Sequence, residues 1–236
     1  MRKNLQNVLN RHFGFKKALC LFLLMGCCLA SFAQQLSGNY TINSKAATAA
    51  RNFESFGDAV YALESGVSGP VVIEVVAGSG PYTDQVTINT IPGASKTNTV
   101  TIKGNGETLQ FLSTSEINNS GIKLDGAKYV TIDGIVIHCL ASDVDYEYGT
   151  GISLMRNSDF NVIKNCTVRN LETTKIPQKT AGIVIKGFEV VGSGQNENFS
   201  DSNIIVGNTI IGGYEGIIID GYSNLANETS FVFGNQ

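Results

Sequence analysis

Apolar and polar residues alternate in short runs along this chain, and one such run comes back four times. Gly121-Ile122-Lys123-Leu124 returns as Gly151-Ile152-Ser153-Leu154, Gly182-Ile183-Val184-Ile185 and Gly216-Ile217-Ile218-Ile219, at spacings of 30, 31 and 34 residues. Each run has a small residue that reads as a turn, then two branched apolar residues one apart, the period of a strand with one buried face. A longer run, Tyr129 to Ile137, aligns without a gap with Phe160 to Val168 and with Ser202 to Ile210. Self-similarity at a fixed period of this size means a stack of equivalent units.

Each period holds three short strand-like runs separated by Gly, Asn or Asp, with no ten-residue helical pattern. Such a unit cannot bury its apolar face alone, so successive units must lie on one another. Superposing them makes columns: Ile122/Ile152/Ile183/Ile217, Leu124/Leu154/Ile185/Ile219, Ile132/Ile163/Ile205 and Ile137/Val168/Ile210. Like side chains stacked inside parallel strands roughly 4.8 Å apart define an all-β fold, the right-handed parallel β-helix. The mixed column Ile135/Cys166/Asn208 places an inward asparagine beside a turn, where an amide satisfies backbone groups.

Ahead of the repeats, residues 34–70 read as an N-terminal strand and a capping helix. Leu36 to Asn43 alternates as a strand. Ser55-Phe56-Gly57-Asp58 has capping-box spacing, and Phe53, Phe56, Val60 and Leu63 form one apolar stripe that Gly66 ends. A helix with one apolar face seals the first coil of a stack. Residues 71–236 are then the coils. Val71 to Val76 is nearly all apolar, as in a strand covered on both faces. Tyr82–Asn89, Thr97–Lys103 and Thr108–Leu112 follow, parted by Ile91-Pro92-Gly93 and Gly104-Asn105-Gly106. No Gly-x-Gly-x-x-Gly or Walker-type lysine precedes a helix, which excludes a phosphate loop.

Residues 1–33 have another character. Arg2, Lys3, Arg11, Lys16 and Lys17 precede an apolar run from Ala18 to Leu29, and Ser31-Phe32-Ala33 supplies the small residues of a cleavage site. This is the pattern of a secretory signal peptide, with an apolar run too short to span a bilayer. The rival reading makes Cys27 an acylated lipoprotein site; the apolar stretch continuing past it favours cleavage after Ala33. Losing the leader leaves 203 residues with 12 basic against 20 acidic, and moves the net charge from −3 to −8. An acidic, lysine-poor chain does not suit nucleic acid or an anionic membrane surface. Of the cysteines, Cys139 and Cys166 remain, and the repeat register puts them opposite Asn170 and Ile135, not each other. They are expected as buried thiols outside any disulfide.

Chemistry is expected on outward positions and in loops. Lys123, Ser153, Val184 and Ile218 point outward in the four-fold run, followed by Asp125, Met155, Lys186 and Asp220. On that face Asp125 meets Met155 and Asp220 meets Lys186, whereas glycoside hydrolysis needs two carboxylates about 5–9.5 Å apart. The loop Ser142 to Gly149 carries Asp143, Asp145 and Glu147 in alternation, oxygen ligands that can converge on calcium. Its glycine comes one place late for an EF-hand, so a solvated acidic loop is the competing reading. Tyr146 and Tyr148 there could stack on sugar rings. The insertion Phe188 to Ser200 reads as a flap over Val184 and Ile204 or as a rim. His138 is outward with no partner suggested by the sequence. Sequons at Asn39, Asn118, Asn165, Asn198 and Asn227 reflect an Asn- and Thr-rich composition.

The runs Leu36 to Ile42, Phe53 to Val60, Gly66 to Val72 and Gln85 to Ile88 resemble the opening of secreted bacterial surface proteins with pectin-lyase-like β-helix domains. The resemblance implies export or surface attachment, an adhesin-like scaffold that contacts polysaccharide or cell-surface glycans, and often a C-terminal sorting domain for type IX secretion. The alternative it leaves open is the N-terminal part of a carbohydrate-active enzyme, a lyase or glycoside hydrolase, with catalytic coils downstream. Ser230 to Gln236 aligns with Ser202 to Asn208, so the repeat breaks off within a coil. Ile217, Ile219, Phe231 and Phe233 are then expected at an open edge that further chain or another subunit covers.

Overall fold

The computed structural model describes residues 35–113, 115, 118–140, 149–170, 180–186 and 200–220. The leader with Cys27, the acidic loop and the segment 230–236 lie outside the described residues. In the unit from Gln35 onward, β1 (Leu36–Ile42), β2 (Asn52–Phe53) and α1 (Phe56–Leu63) come first, and strands then arrive in threes. The first coil is β3 (Val67–Val75), β4 (Tyr82–Thr83) and β5 (Val86–Asn89), and the second β6 (Val100–Lys103), β7 (Thr108–Phe111) and β8 (Ser120–Asp125). The third is β9 (Val130–Asp133), β10 (Val136–Cys139) and β11 (Gly149–Met155), and the fourth β12 (Val162–Lys164), β13 (Thr167–Arg169) and β14 (Thr180–Lys186). The fifth is β15 (Ile204–Val206), β16 (Thr209–Ile211) and β17 (Glu215–Asp220).

Equivalent strands of successive coils pair in parallel and build three sheets. Sheet A runs β15-β12-β9-β6-β3-β1-β2, sheet B β16-β13-β10-β7-β4 and sheet C β17-β14-β11-β8-β5. This is a right-handed parallel β-helix, the hand that parallel crossovers take. The register matches the repeat alignment: Ile132, Ile163 and Ile205 pair directly, as do Ile137, Val168 and Ile210. In sheet C, Ile122, Ile152, Ile183 and Ile217 form one column, and Leu124, Leu154, Ile185 and Ile219 another. Through the fourth coil the sheet C columns and the Ile132, Ile163, Ile137 and Val168 side chains are buried; in the fifth, Ile217 and Ile219 are 50% exposed. Burial thus depends on having a coil on either side.

The repeated glycine is not a turn residue. Gly121, Gly151 and Gly182 lie within β8, β11 and β14, and none has a positive φ. Space is the reason: a Cβ on Gly151 would stand 2.5 Å from Val168 Cγ1 and 2.7 Å from the Gly182 carbonyl. Gly216, in the last coil, would meet nothing within 4 Å. Gly151→Ala is therefore expected to destabilise by about 1–3 kcal/mol through overpacking. Gly216→Ala is expected to be neutral or to stabilise by up to about 1 kcal/mol, by restricting the unfolded chain. Urea titration of both variants checks the contrast.

The passage from sheet A to sheet B takes a tight turn at Gly134, Asn165 and Gly207, with φ of 66°, 54° and 66°, a conformation that glycine and asparagine tolerate. Asparagines, of which Asn161 and Asn203 are fully buried, tie the fourth and fifth coils to the coil before them. Asn161 Nδ2 donates to Ala127 O at 2.9 Å, and its Oδ1 accepts from Val130 N at 2.9 Å. Asn203 repeats this with Ser158 O and Asn161 N, and Asn208 with Ile163 O and Cys166 N. The inward asparagine of the mixed column thus does the work expected of it.

At the other end, the Ser55 hydroxyl accepts from Asp58 N at 3.0 Å, the hydroxyl half of the expected capping box. Asp84, from the first coil, accepts from Phe56 N at 3.3 Å. Burial pushes the Asp84 carboxyl above the usual range; the Phe56 N–H pulls the other way, and Asp58 adds repulsion. Phe56, Ala59, Val60 and Leu63 are the buried face of α1. Phe53 is buried as well, but it lies in β2 rather than on the helix. The strand expected to be covered on both faces also differs. It begins at Val67, not after Pro70, and alternates, with Val71, Ile73 and Val75 buried and Glu74 exposed. Its neighbour β1 runs along its edge, pairing Asn39 with Val72 and Thr41 with Glu74. The apolar run reflects strand propensity at a sheet edge that β1 and β2 protect.

Candidate functional site

The three outer faces differ in what they leave available. On sheet C the outward row is Lys123, Ser153 and Val184, in the expected register. All three are buried, together with Met155, so this face is not open to solvent as its outward direction suggested. The apolar Val184 and Met155 already demand cover. Ser120 and Ser153 share a hydroxyl hydrogen bond of 2.9 Å beneath it. Asp125 is opposite Met155, as expected, and pairs with Arg156, whose Nε donates to its Oδ1 at 2.5 Å. Asp220 lies opposite Lys186.

Sheet A carries a ladder of alternating charge. Glu74, Lys103, Asp133 and Lys164 occupy consecutive rungs. Lys103 Nζ is 2.7 Å from Glu74 Oε1, Lys164 Nζ is 3.3 Å from Asp133 Oδ2, and Asn165 Nδ2 donates to Asp133 Oδ1 at 2.9 Å. These charges neutralise one another. At the turn leading into the sheet, Asp159 and Asp201 stand on adjacent coils, a carboxylate pair that reading the four-fold run alone passed over. Asp159 is engaged: Oδ2 meets Lys128 Nζ at 2.6 Å and Oδ1 accepts from Asp201 N at 2.9 Å. It fixes a turn beside the stacked rings of Tyr129 and Phe160, 5.1 Å apart.

Sheet B is the face with uncommitted groups. Inward Leu109, Ile137 and Val168 alternate with outward Gln110, His138 and Arg169, which lie directly opposite one another on β7, β10 and β13. Thr83 precedes this row on β4 and Ile211 ends it on β16. A second outward row is Thr108, Val136, Thr167 and Thr209. Gln110 Nε2 donates to Thr83 Oγ1 at 3.4 Å. Among the described residues, neither His138 nor Arg169 has a side-chain hydrogen bond or ion pair, and Arg169 is exposed. Read one residue at a time, the sequence showed His138 as isolated. The gapless alignment of Ile137 with Val168 already put Arg169 beside it.

Asp143, Asp145 and Glu147, the calcium candidates, and Tyr146 and Tyr148, the sugar-stacking candidates, lie outside the described residues, in the connection between β10 and β11. So does nearly all of the insertion, of which Ser200 is described and buried. Among the described residues no three His, Cys, Asp or Glu side chains gather as metal ligands, and no helix is long and apolar enough to cross a membrane. Cys139 and Cys166 are buried and form no disulfide; burial pushes the Cys166 thiol up and the Asp133 charge adds to this, while backbone hydrogen bonding from Ile135, Gly134 and Lys164 to the sulfur pulls the other way.

Coils bridged by asparagines, two faces neutralised or covered and one left polar, make up this parallel β-solenoid. No protein-family model, no curated protein and no solved structure matches the chain.

Proposed function

We propose that this chain is a secreted or surface-displayed β-helix binding scaffold, non-catalytic in itself, that contacts polysaccharide along the length of its stack. The observation that carries the reading is the outer face of sheet B. There, equivalent positions on successive coils present polar side chains at a constant interval of roughly 4.8 Å. A polymer of repeating units suits a surface that itself repeats. The basic leader and apolar run of residues 1–33 supply the route out of the cell. Among the described strand carboxylates, Glu74, Asp125 and Asp133 each pair with a cation, an arrangement that holds a fold and does not share a proton with a substrate. Incubating the full chain with a panel of immobilised polysaccharides is expected to give retention without depolymerisation. Release of new reducing ends or unsaturated sugars would overturn the non-catalytic reading, and no retention on any glycan would overturn the binding one.

A further inference from the structure

Resting on that reading, we infer that the outer face of sheet B is an anion-selecting track, on which Arg169, flanked by His138 and Gln110, receives the carboxylates of an acidic glycan. The inference starts from where six of the other described cations are spent. On sheet A, Lys103 and Lys164 face Glu74 and Asp133. At the corners, Lys128 faces Asp159 and Arg156 faces Asp125. Near the N-terminal cap, Lys45 donates to Gly78 O, and Arg51 donates to Ser37 O while its guanidinium lies 4.6 Å from the Tyr40 ring centroid. Arg169 is exposed on a sheet face with no carboxylate partner among the described residues.

Its neighbours are donors rather than acids. His138 is directly opposite on the preceding rung and Gln110 on the one before that, so the three form a line parallel to the stack axis. Along β13, Thr167 adds a hydroxyl on the same face, and Thr209 continues that row on β16. No described residue in either outward row of sheet B is acidic. Ile211, 39% exposed, follows Arg169 in the row and ends the run of donors.

In a chain of net charge −3, and −8 without its leader, an anionic polymer is repelled by most of the surface. Only a face with uncompensated donors can hold it. A guanidinium matches a carboxylate with two parallel charge-assisted N–H···O bonds, stronger than those it makes to the uncharged hydroxyls of a neutral sugar. The adjacent imidazole, amide and hydroxyls then serve the ring hydroxyls that neighbour each carboxylate. Selection comes from Arg169 and alignment from the row.

The test measures binding of the full chain by calorimetry to alginate oligosaccharides, to the same oligosaccharides with their carboxyls reduced to alcohols, and to dextran. Alginate is expected to bind about tenfold or more tighter than its reduced form, and Arg169→Gln to remove that preference, the loss of one charge-assisted pair. Gln110→Ala is expected to weaken both acidic and reduced ligands by a similar few-fold factor, as a donor to hydroxyls would. Raising salt from 50 to 500 mM is expected to erode only the alginate arm. Equal affinity for acidic and reduced oligosaccharides, or an Arg169→Gln variant of unchanged melting temperature that keeps the preference, overturns the inference while leaving a glycan-binding scaffold standing. Binding to none of the three, with retention on another polysaccharide, also overturns it. Retention on no glycan at all takes the proposed function down with it.

Discussion

Replacing Asn161 with alanine is expected to lower stability by about 2–4 kcal/mol, because two buried backbone groups lose their partners at once. The side chain is fully buried and bridges the coil below it, donating to Ala127 O and accepting from Val130 N. Alanine leaves that carbonyl and that amide unpaired where water does not reach. Asn165 supplies the control. It is exposed, its amide bonds only Asp133 Oδ1, and its positive φ suits glycine, so Asn165→Gly is expected to change stability by no more than about 0.5 kcal/mol. Urea titrations that gave the two variants the same midpoint would mean that the asparagine bridges do not hold the coils together.

Ile163→Ala is expected to cost about 3–4 kcal/mol, within the range for removing a buried isoleucine without collapse of the cavity. Collapse is hindered because Ile163 is held between Ile132 and Ile205 in a column whose strands are hydrogen-bonded to fixed partners. The same truncation at Ile205 is expected to cost less, since that side chain is only partly buried. Chemical denaturation of both variants tests the ranking. A loss at Ile205 equal to that at Ile163 would contradict a core whose strength depends on coils above and below.

The columns were legible before any coordinates because stacking puts the same residue type at the same place every 30 or so positions, and alignment of the repeats is alignment in space. Ile132 over Ile163 over Ile205 is that logic in three residues. The N-cap at Ser55 was legible for a local reason: its hydrogen bond spans three residues. What escaped the sequence depends on contacts between different sheets. The glycines of the four-fold run look like turn residues in one dimension, and only Val168 packing behind Gly151 shows that they make room. Phe53 has helical spacing to Phe56 yet belongs to a strand, because pairing with Ile42 outweighs spacing. Lys123, Ser153 and Val184 do point outward, but alternation within a strand says nothing about what lies over it. Gln110, His138 and Arg169 were each visible, and their common line appears only when outward positions are aligned as carefully as inward ones.

The asparagine bridges all point one way. Asn105 reaches back to Val75, Asn161 to Ala127 and Val130, Asn203 to Ser158, and Asn208 to Ile163. Through these four residues a turn of the spiral is finished by its successor. A polypeptide that emerges amino end first can then grow like masonry on a sealed foundation, each new course locking the last while its own upper edge waits for the next.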